Sequence, residues 1–139
     1  MNYFLLVEDN EDDVFAFQRA LKKTNLAVKM DLAVDGQEAM HRLQNVVSGA
    51  NPPPSIVFLD LKLPYHSGFD LLKYIRSQKS LDDTIAVILT SSAEVKDKQQ
   101  AYALGARSYL VKPPTDRDIL DLLDSLQTFW SNRGLPAPA

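Results

Sequence analysis

The sequence has no cysteine, which excludes disulfide bonds, thiolate nucleophiles and thiolate metal sites. It has no apolar run near the ~20 residues that span a bilayer, and its first residues lack the basic segment of a secretory signal. Neither sign of charge dominates, because 15 Lys and Arg stand against 18 Asp and Glu. The sequence therefore carries no basic footprint for nucleic acid or an anionic membrane. We expect a cytoplasmic protein that binds neither nucleic acid nor membrane.

The length and composition of the sequence are those of one globular domain. Apolar residues make up 45% of the 139 residues and charged residues 24%, with a net charge of −3. This length suffices for one hydrophobic core and is short for two. The last segment contains a glycine and two prolines, as a flexible tail often does. We predict one domain over residues 1–131 and a tail over residues 132–139.

Strand-like apolar runs alternate with segments of helical periodicity along the chain. The runs cover residues 3–7, 28–34, 55–59, 85–89 and 108–111. Between them, apolar residues recur at helical spacing, as Val14, Phe17 and Leu21 do. This alternation predicts βαβ units, which form a parallel sheet with helices on both faces and right-handed crossovers. The doubly wound strand order 2-1-3-4-5 fits these units, with its switch point between the first and third strands.

The fourth and fifth predicted helices differ in their anchoring. The helix over residues 95–104 is mostly polar, so we predict that it shifts at little energetic cost. The last helix begins with a possible capping box at Thr115 and Asp118 and has the strongest apolar stripe in the sequence. Phe129 and Trp130 at its end fit a core position, and an exposed partner surface is the alternative.

Polar residues follow the predicted strands and should meet at one edge of the sheet. Glu8 and Asp9 follow the first strand, Asp60 the third, Thr90 the fourth and Lys112 the fifth. Three neighbouring carboxylates cannot all stay ionised without a cation, and oxygen ligands without His or Cys suit Mg²⁺. An Asp beside such an ion, with a Lys and a Thr hydroxyl as donors, suits attack on a phosphoryl group.

Each of these residues also has a purely structural explanation. Asp60 could start a turn, Thr90 could end a strand, and Lys112 could be a solvated lysine before a turn. Tyr109 could be an ordinary half-buried strand tyrosine. The acidic pair could complement a helix dipole, but the acidic residues at 11–13 fill that role more naturally.

In this order and spacing, the sequence resembles the receiver domain of two-component response regulators. The matching features are the Glu8-Asp9 pair, Asp60 after Phe58-Leu59, Leu63-Pro64, Gly68, Thr90-Ser91, Tyr109 and Lys112-Pro113. The resemblance runs from about Tyr3 to Trp130 and implies a flavodoxin-like (βα)5 fold. The proline-rich loop over residues 48–54 and the Phe129-Trp130 end are similar to stand-alone regulators that accompany bacterial phytochromes.

The resemblance implies a role for each carboxylate of the cluster. Asp60 would be the phosphoacceptor. Asp9, Asp60 and the backbone carbonyl of Lys62 would hold Mg²⁺, and Glu8 would act through the waters of the ion.

The resemblance also assigns the donors and the switch. Lys112 would pair with the phosphoryl group, and a cis bond to Pro113 would aim its ammonium. Thr90 would close onto a phosphoryl oxygen, and Tyr109 would swing inward behind it.

The implied function is that of a phosphorylation-dependent switch rather than an enzyme, since it would catalyse only its own phosphorylation and dephosphorylation. The donor would be a sensor histidine kinase or phosphotransfer protein, with a bacterial phytochrome as one candidate kinase. Output would pass through protein contacts, and the face formed by residues 95–104, 108–111 and 116–131 is a candidate homodimer surface.

Two residues depart from the common pattern of the family. Lys62 stands where relatives often carry a small or amide side chain, so an altered dephosphorylation rate is expected. Pro114 replaces a residue that is frequently bulky and apolar.

Three other function classes remain open. A hydrolase with Asp60 as nucleophile is one alternative, although Lys62 stands where many such enzymes carry a second Asp. A receiver-like module that takes no phosphate and a flavin-binding module of the same fold are the others.

Overall fold

The architecture is a parallel sheet of five strands in the order β2-β1-β3-β4-β5. The computed structural model describes residues 3–134 of the chain. The strands are β1 (Tyr3–Val7), β2 (Lys29–Ala33), β3 (Ile56–Leu59), β4 (Ile85–Thr90) and β5 (Ser108–Val111). Every neighbouring pair is parallel, so β1 lies between β2 and β3. The predicted doubly wound sheet and its switch point are confirmed.

Each crossover between strands contains a helix, and a further helix follows β5. The helices are α1 (Glu11–Lys23), α2 (Gly36–Val47), α3 (Gly68–Ser77), α4 (Val95–Ala103) and α5 (Asp116–Asn132), with a short 3-10 turn at Lys79–Leu81. The predicted capping box of α5 is present, because Thr115 and Asp118 each accept a hydrogen bond from the other's backbone N–H.

The end of α5 differs slightly from the predicted domain boundary. The helix includes Asn132, which the sequence assigned to the tail, and Arg133 then makes an ion pair with Asp83 at 3.1 Å. The rest of the predicted tail, residues 135–139, lies outside the described residues. No helix among residues 3–134 has both the length and the apolar character that a membrane crossing requires.

The hydrophobic core has two halves because alternate strand residues face opposite helix layers. One half joins the sheet to α1 and α5 and contains Phe4, Phe58 and Trp130. The other joins it to α2, α3 and α4. Trp130 is 2% exposed and Phe129 6%, so these two side chains belong to the core and do not form an exposed patch.

Two loops that follow helices are shaped by their proline and glycine residues. The prolines of residues 48–54 predict an exposed loop, and this is wrong at Pro54, which is buried and whose carbonyl accepts a hydrogen bond of 2.8 Å from Thr84 Oγ1. Gly105 follows α4 with a φ of +103°, which is a left-handed conformation that glycine adopts without strain. A side chain there would also collide with Arg76, because an added Cβ would lie 2.6 Å from its Cγ.

Candidate functional site

The carboxyl ends of β1 and β3 bring three carboxylates together. The strands are neighbours in a register that pairs Val7 with Leu59, so the residues that follow each strand lie side by side. One carboxylate oxygen from each of Glu8, Asp9 and Asp60 lies within 4.8 Å of the others. Glu8 and Asp60 are buried and Asp9 is exposed. The convergence predicted for these residues is confirmed.

Lys112, which follows β5, points its ammonium into this cluster. Its Nζ lies 2.5 Å from Glu8 Oε1, 2.7 Å from Asp60 Oδ2 and 2.8 Å from Asp13 Oδ2. An ammonium has three N–H donors, so each donor can meet one carboxylate. The peptide bond to Pro113 is cis, as expected from the family resemblance.

Burial and charge act against each other in the cluster. Burial raises the pKa of Glu8, although its pair with Lys112 pulls the pKa down. Burial alone would lower the pKa of Lys112, but its hydrogen bonds to Asp13, Asp60 and Glu8 outweigh that effect and raise it. The site holds four carboxylates and one ammonium, three of the carboxylates in contact with it, so the site has an excess of negative charge.

The donor set fits a hard divalent cation. It offers only oxygen atoms, and Asp9 remains exposed for a ligand that arrives from solvent. The carboxylate oxygens of Glu8, Asp9 and Asp60 all lie within 4.8 Å of one another, so they could serve one ion either directly or through its waters. The Lys62 amide donates to Asp60 Oδ1 at 3.3 Å, which holds the start of the next loop against Asp60. Its carbonyl as a metal ligand stays a prediction.

Gly68 allows the chain to pack closely against the backbone of Asp60. A Cβ at this position would lie 2.1 Å from the backbone oxygen of Asp60, so any side chain would displace one of the two segments. The Gly68 amide donates to Leu61 O at 3.1 Å, which ties the start of α3 to the end of β3. The glycine in the family pattern therefore has a steric reason.

The two predicted switch residues are connected through one loop. Thr90 ends β4 and is 2% exposed. The Tyr109 hydroxyl donates to the backbone oxygen of Ser92 at 2.9 Å, two residues beyond Thr90. A movement of the loop between β4 and α4 would therefore displace both side chains. Their switching role stays a prediction.

Asp13 is the site residue that the sequence interpretation missed. It was assigned with its neighbours to the dipole of α1, and its backbone N–H is indeed capped by Asn10 Oδ1 at 3.1 Å. Its carboxylate, however, bonds Lys112, which is 99 positions away in sequence. The one available signal was its place as third residue of the helix, where side chains tilt back toward the helix start.

Comparison with known proteins agrees with this geometry. Residues 4–124 match the family description "Response regulator receiver domain". The chain is 32% identical over 127 residues to the response regulator Rcp1 of Synechocystis sp., covering 91% of this chain and 86% of Rcp1. The Mn²⁺-bound form of Rcp1 superposes with a TM-score of 0.75 at 29% identity and covers 100% of both chains.

Two further solved structures are similar along nearly the full chain. The bacteriophytochrome response regulator AtBRR has a TM-score of 0.80 and 34% identity, covering 94% of this chain and 95% of its own. The phosphorylated cyanobacterial phytochrome response regulator RcpA has a TM-score of 0.75 and 27% identity, covering 99% of each chain.

Proposed function

This chain belongs to the response regulator receiver family of two-component systems, and on that premise we propose that Asp60 accepts a phosphoryl group in a Mg²⁺-dependent reaction. The observation that carries the proposal is the setting of Asp60. Its carboxylate follows a buried strand, with the carboxylates of Glu8 and Asp9 nearby and the Lys112 ammonium 2.7 Å away. A nucleophile, a cation site and a phosphate-binding donor therefore meet at one point.

The chemistry is phosphoryl transfer from a histidine of a sensor kinase or phosphotransfer protein. An Asp60 oxygen forms a bond to phosphorus while the phosphorus–nitrogen bond of the donor breaks, and the departing imidazole takes up a proton. Lys112 and the Thr90 hydroxyl donate to the equatorial oxygens, where charge accumulates in the transition state. Asp9, Asp60 and the Lys62 carbonyl would hold Mg²⁺, with Glu8 acting through its waters. The ion supplies charge neutralisation for the phosphoryl oxygens.

Two similar proteins support the metal and the modification. One solved form of Rcp1 contains Mn²⁺, an ion with ligand preferences close to those of Mg²⁺. RcpA has been solved in a phosphorylated state. AtBRR is a bacteriophytochrome response regulator and RcpA is a cyanobacterial phytochrome response regulator, so a bacterial phytochrome kinase is our candidate phosphodonor.

The output is a phosphorylation-dependent protein contact in the cytoplasm, with no turnover of an external substrate. Inward movement of Thr90 and Tyr109 would pull the β4–α4 loop and bias the face made of α4, β5 and α5. The hydrogen bond from Tyr109 to the Ser92 carbonyl gives that coupling a physical route. The same face is our candidate homodimer surface.

The test is intact-mass measurement after incubation with acetyl phosphate. We expect one phosphate adduct that requires Mg²⁺ and is absent from Asp60→Asn. Asp124→Asn, which alters an exposed carboxylate on α5, is the matched control and should keep the adduct. Absence of any adduct in the wild type, or one that survives Asp60→Asn, contradicts the proposal. Hydrolysis of many equivalents of a small phosphoester would favour the hydrolase alternative.

A further inference from the structure

The three donors of the Lys112 ammonium are fully engaged in this state of the protein. They meet Glu8, Asp13 and Asp60 at distances of 2.5, 2.8 and 2.7 Å. A phosphoryl oxygen that is to be bound by Lys112 must therefore take the place of one of these carboxylates. Asp60 carries the phosphoryl group in the phosphorylated state and is then no longer a carboxylate, so Glu8 and Asp13 are the carboxylates that compete with phosphoryl oxygens for the ammonium. The question is which of these two yields its hydrogen bond more readily.

Exposure favours release of Asp13. The side chain of Glu8 is 1% exposed and that of Asp60 10%, whereas that of Asp13 is 37% exposed. A carboxylate that loses its partner in a buried position suffers a large desolvation penalty, while an exposed one regains water. Asp13 can therefore leave Lys112 at the lowest cost, by a rotation of its side chain into solvent.

Two of the other helices, α3 and α5, show the hydrogen bond that an aspartate at the position of Asp13 makes when a capping box forms. Asp13, Asp70 and Asp118 are each the third residue of their helix. The last two accept a hydrogen bond from the backbone N–H of their own N-cap residue, at 3.2 and 3.0 Å. In α1 this N–H, that of Asn10, donates to Glu8 instead, at 3.3 Å. The Asp13 carboxylate is thereby free to bond Lys112.

We propose that Asp13 is a positioning residue that holds Lys112 in the unphosphorylated protein and opposes the phosphorylated state. This inference rests on the proposed function. Asp13 acts in two ways: it competes with phosphoryl oxygens for the ammonium, and it adds a negative charge beside the incoming phosphoryl group. The same negative charge on Asp13 strengthens the binding of a divalent cation at the site. Removing it therefore has opposite effects on the two ligands of the site.

Beryllofluoride and Mg²⁺ are the probes for this test. Beryllofluoride coordinates a carboxylate oxygen in place of water and presents fluorides where phosphoryl oxygens would lie. For Asp13→Asn, we expect beryllofluoride to bind roughly fivefold more tightly at saturating Mg²⁺, and Mg²⁺ alone to bind severalfold more weakly. Asp13→Ser should behave in the same way, and Asp13→Glu should stay near the wild type. The constants come from ¹⁹F NMR and calorimetric titrations.

Asp12→Asn is the matched control. It removes the same charge at the neighbouring position, where the exposed Asp12 side chain makes no ion pair within residues 3–134, whereas Asp13 pairs with Lys112. Opposite shifts in Asp13→Asn and Asp13→Ser that exceed those in Asp12→Asn support the inference. Equal constants in the Asp12 and Asp13 variants, or weakening of both ligands together, overturn it while leaving the proposed function intact. A wild type that binds no beryllofluoride overturns the proposed function and this inference with it.

Discussion

Lys112 is the residue on which the charge balance of the site depends. It is the cation that the structure shows in contact with Glu8, Asp13 and Asp60, and its side chain is 9% exposed. Loss of a partner from a buried ion pair typically costs about 3–5 kcal/mol because a charge is left uncompensated. The acidic cluster and Lys112 therefore stabilise each other before any metal binds, and a phosphoryl group must compete with existing contacts.

Lys62 is the residue at which this site departs most from the common family pattern. Its backbone amide donates to Asp60 Oδ1, and its side chain is exposed two residues after Asp60. Crowding and positive charge at that position should slow hydrolysis of the acyl phosphate. We predict that Lys62→Asn dephosphorylates at least about threefold faster, a difference that corresponds to less than 1 kcal/mol.

The measurement is the decay of the phosphate adduct by intact mass after the phosphodonor is removed. Lys73→Asn, at an exposed lysine of α3, is the matched control and should decay like the wild type. Equal decay rates in Lys62→Asn and wild type would show that the side chain does not influence the reaction.

The sequence could predict most of the site residues but not Asp13. Thr90 ends a strand, and Glu8, Asp9, Asp60 and Lys112 follow strands, so the topology alone brings all five to one edge of the sheet. The Asp13 contact depends instead on a hydrogen bond from the Asn10 amide to Glu8, which frees the Asp13 carboxylate. Such a choice between two local acceptors is a matter of side-chain geometry that residue spacing does not encode.

At the scale of elements, α4 is the helix most weakly held to the rest of the fold. Ala101 is its single buried residue, and its N-cap Glu94 makes no side-chain capping bond. By contrast, α5 buries six residues and begins with a full capping box. Since helical stability in proteins comes mostly from packing, α4 should open more readily than α5.

We predict that the backbone amides of α4 exchange with solvent deuterium faster than those of α3 or α5, measured by mass spectrometry of peptides. Glu94→Ser should slow exchange in α4, because a serine N-cap typically stabilises a helix by about 0.5–2 kcal/mol. Lys96→Ser, inside the same helix, is the control and should not slow exchange. Protection of α4 equal to that of α5 in the wild type would contradict this account.

The boundaries of elements were predictable where caps and apolar stripes agree. The start of α5 is an example, because Thr115, Asp118 and the following stripe all indicate the same position. The loop before β3 was less predictable, since proline content indicates exposure although Pro54 is buried. Its burial depends on a hydrogen bond from Thr84, a residue 30 positions away. Long-range contacts of this kind decide which part of a loop is covered.

At the scale of the whole molecule, the two halves of the core fix the sheet edge that carries the site. The half beneath α1 and α5 contains Phe4, Phe17, Phe58 and Trp130, and the rings of Phe17 and Phe58 lie 4.7 Å apart. This half positions α1, which bears Asp13, relative to β3, which precedes Asp60. The continuous apolar runs made this layered arrangement predictable, because strands buried on both faces require two helix layers.

Trp130 provides the test of this core. We predict that Trp130→Ala lowers the free energy of unfolding by about 3–5 kcal/mol, as expected for loss of a buried large aromatic side chain. Urea denaturation measures the change. Phe15→Ala is the control, because Phe15 is 66% exposed and its truncation should change stability by about 0.5 kcal/mol or less. A small loss of stability in Trp130→Ala, accompanied by a changed oligomeric state, would instead indicate an interface role.

The central claim is that Asp60, rather than a neighbouring carboxylate, carries the phosphoryl group. Borohydride reduces an acyl phosphate to an alcohol, which converts a phosphorylated aspartate to homoserine that peptide mass spectrometry can locate. After treatment with acetyl phosphate and Mg²⁺, the account predicts homoserine at position 60 and at no other position. Homoserine at position 9 or 13 instead, or no reduced residue in a sample that carries the phosphate adduct, would contradict it.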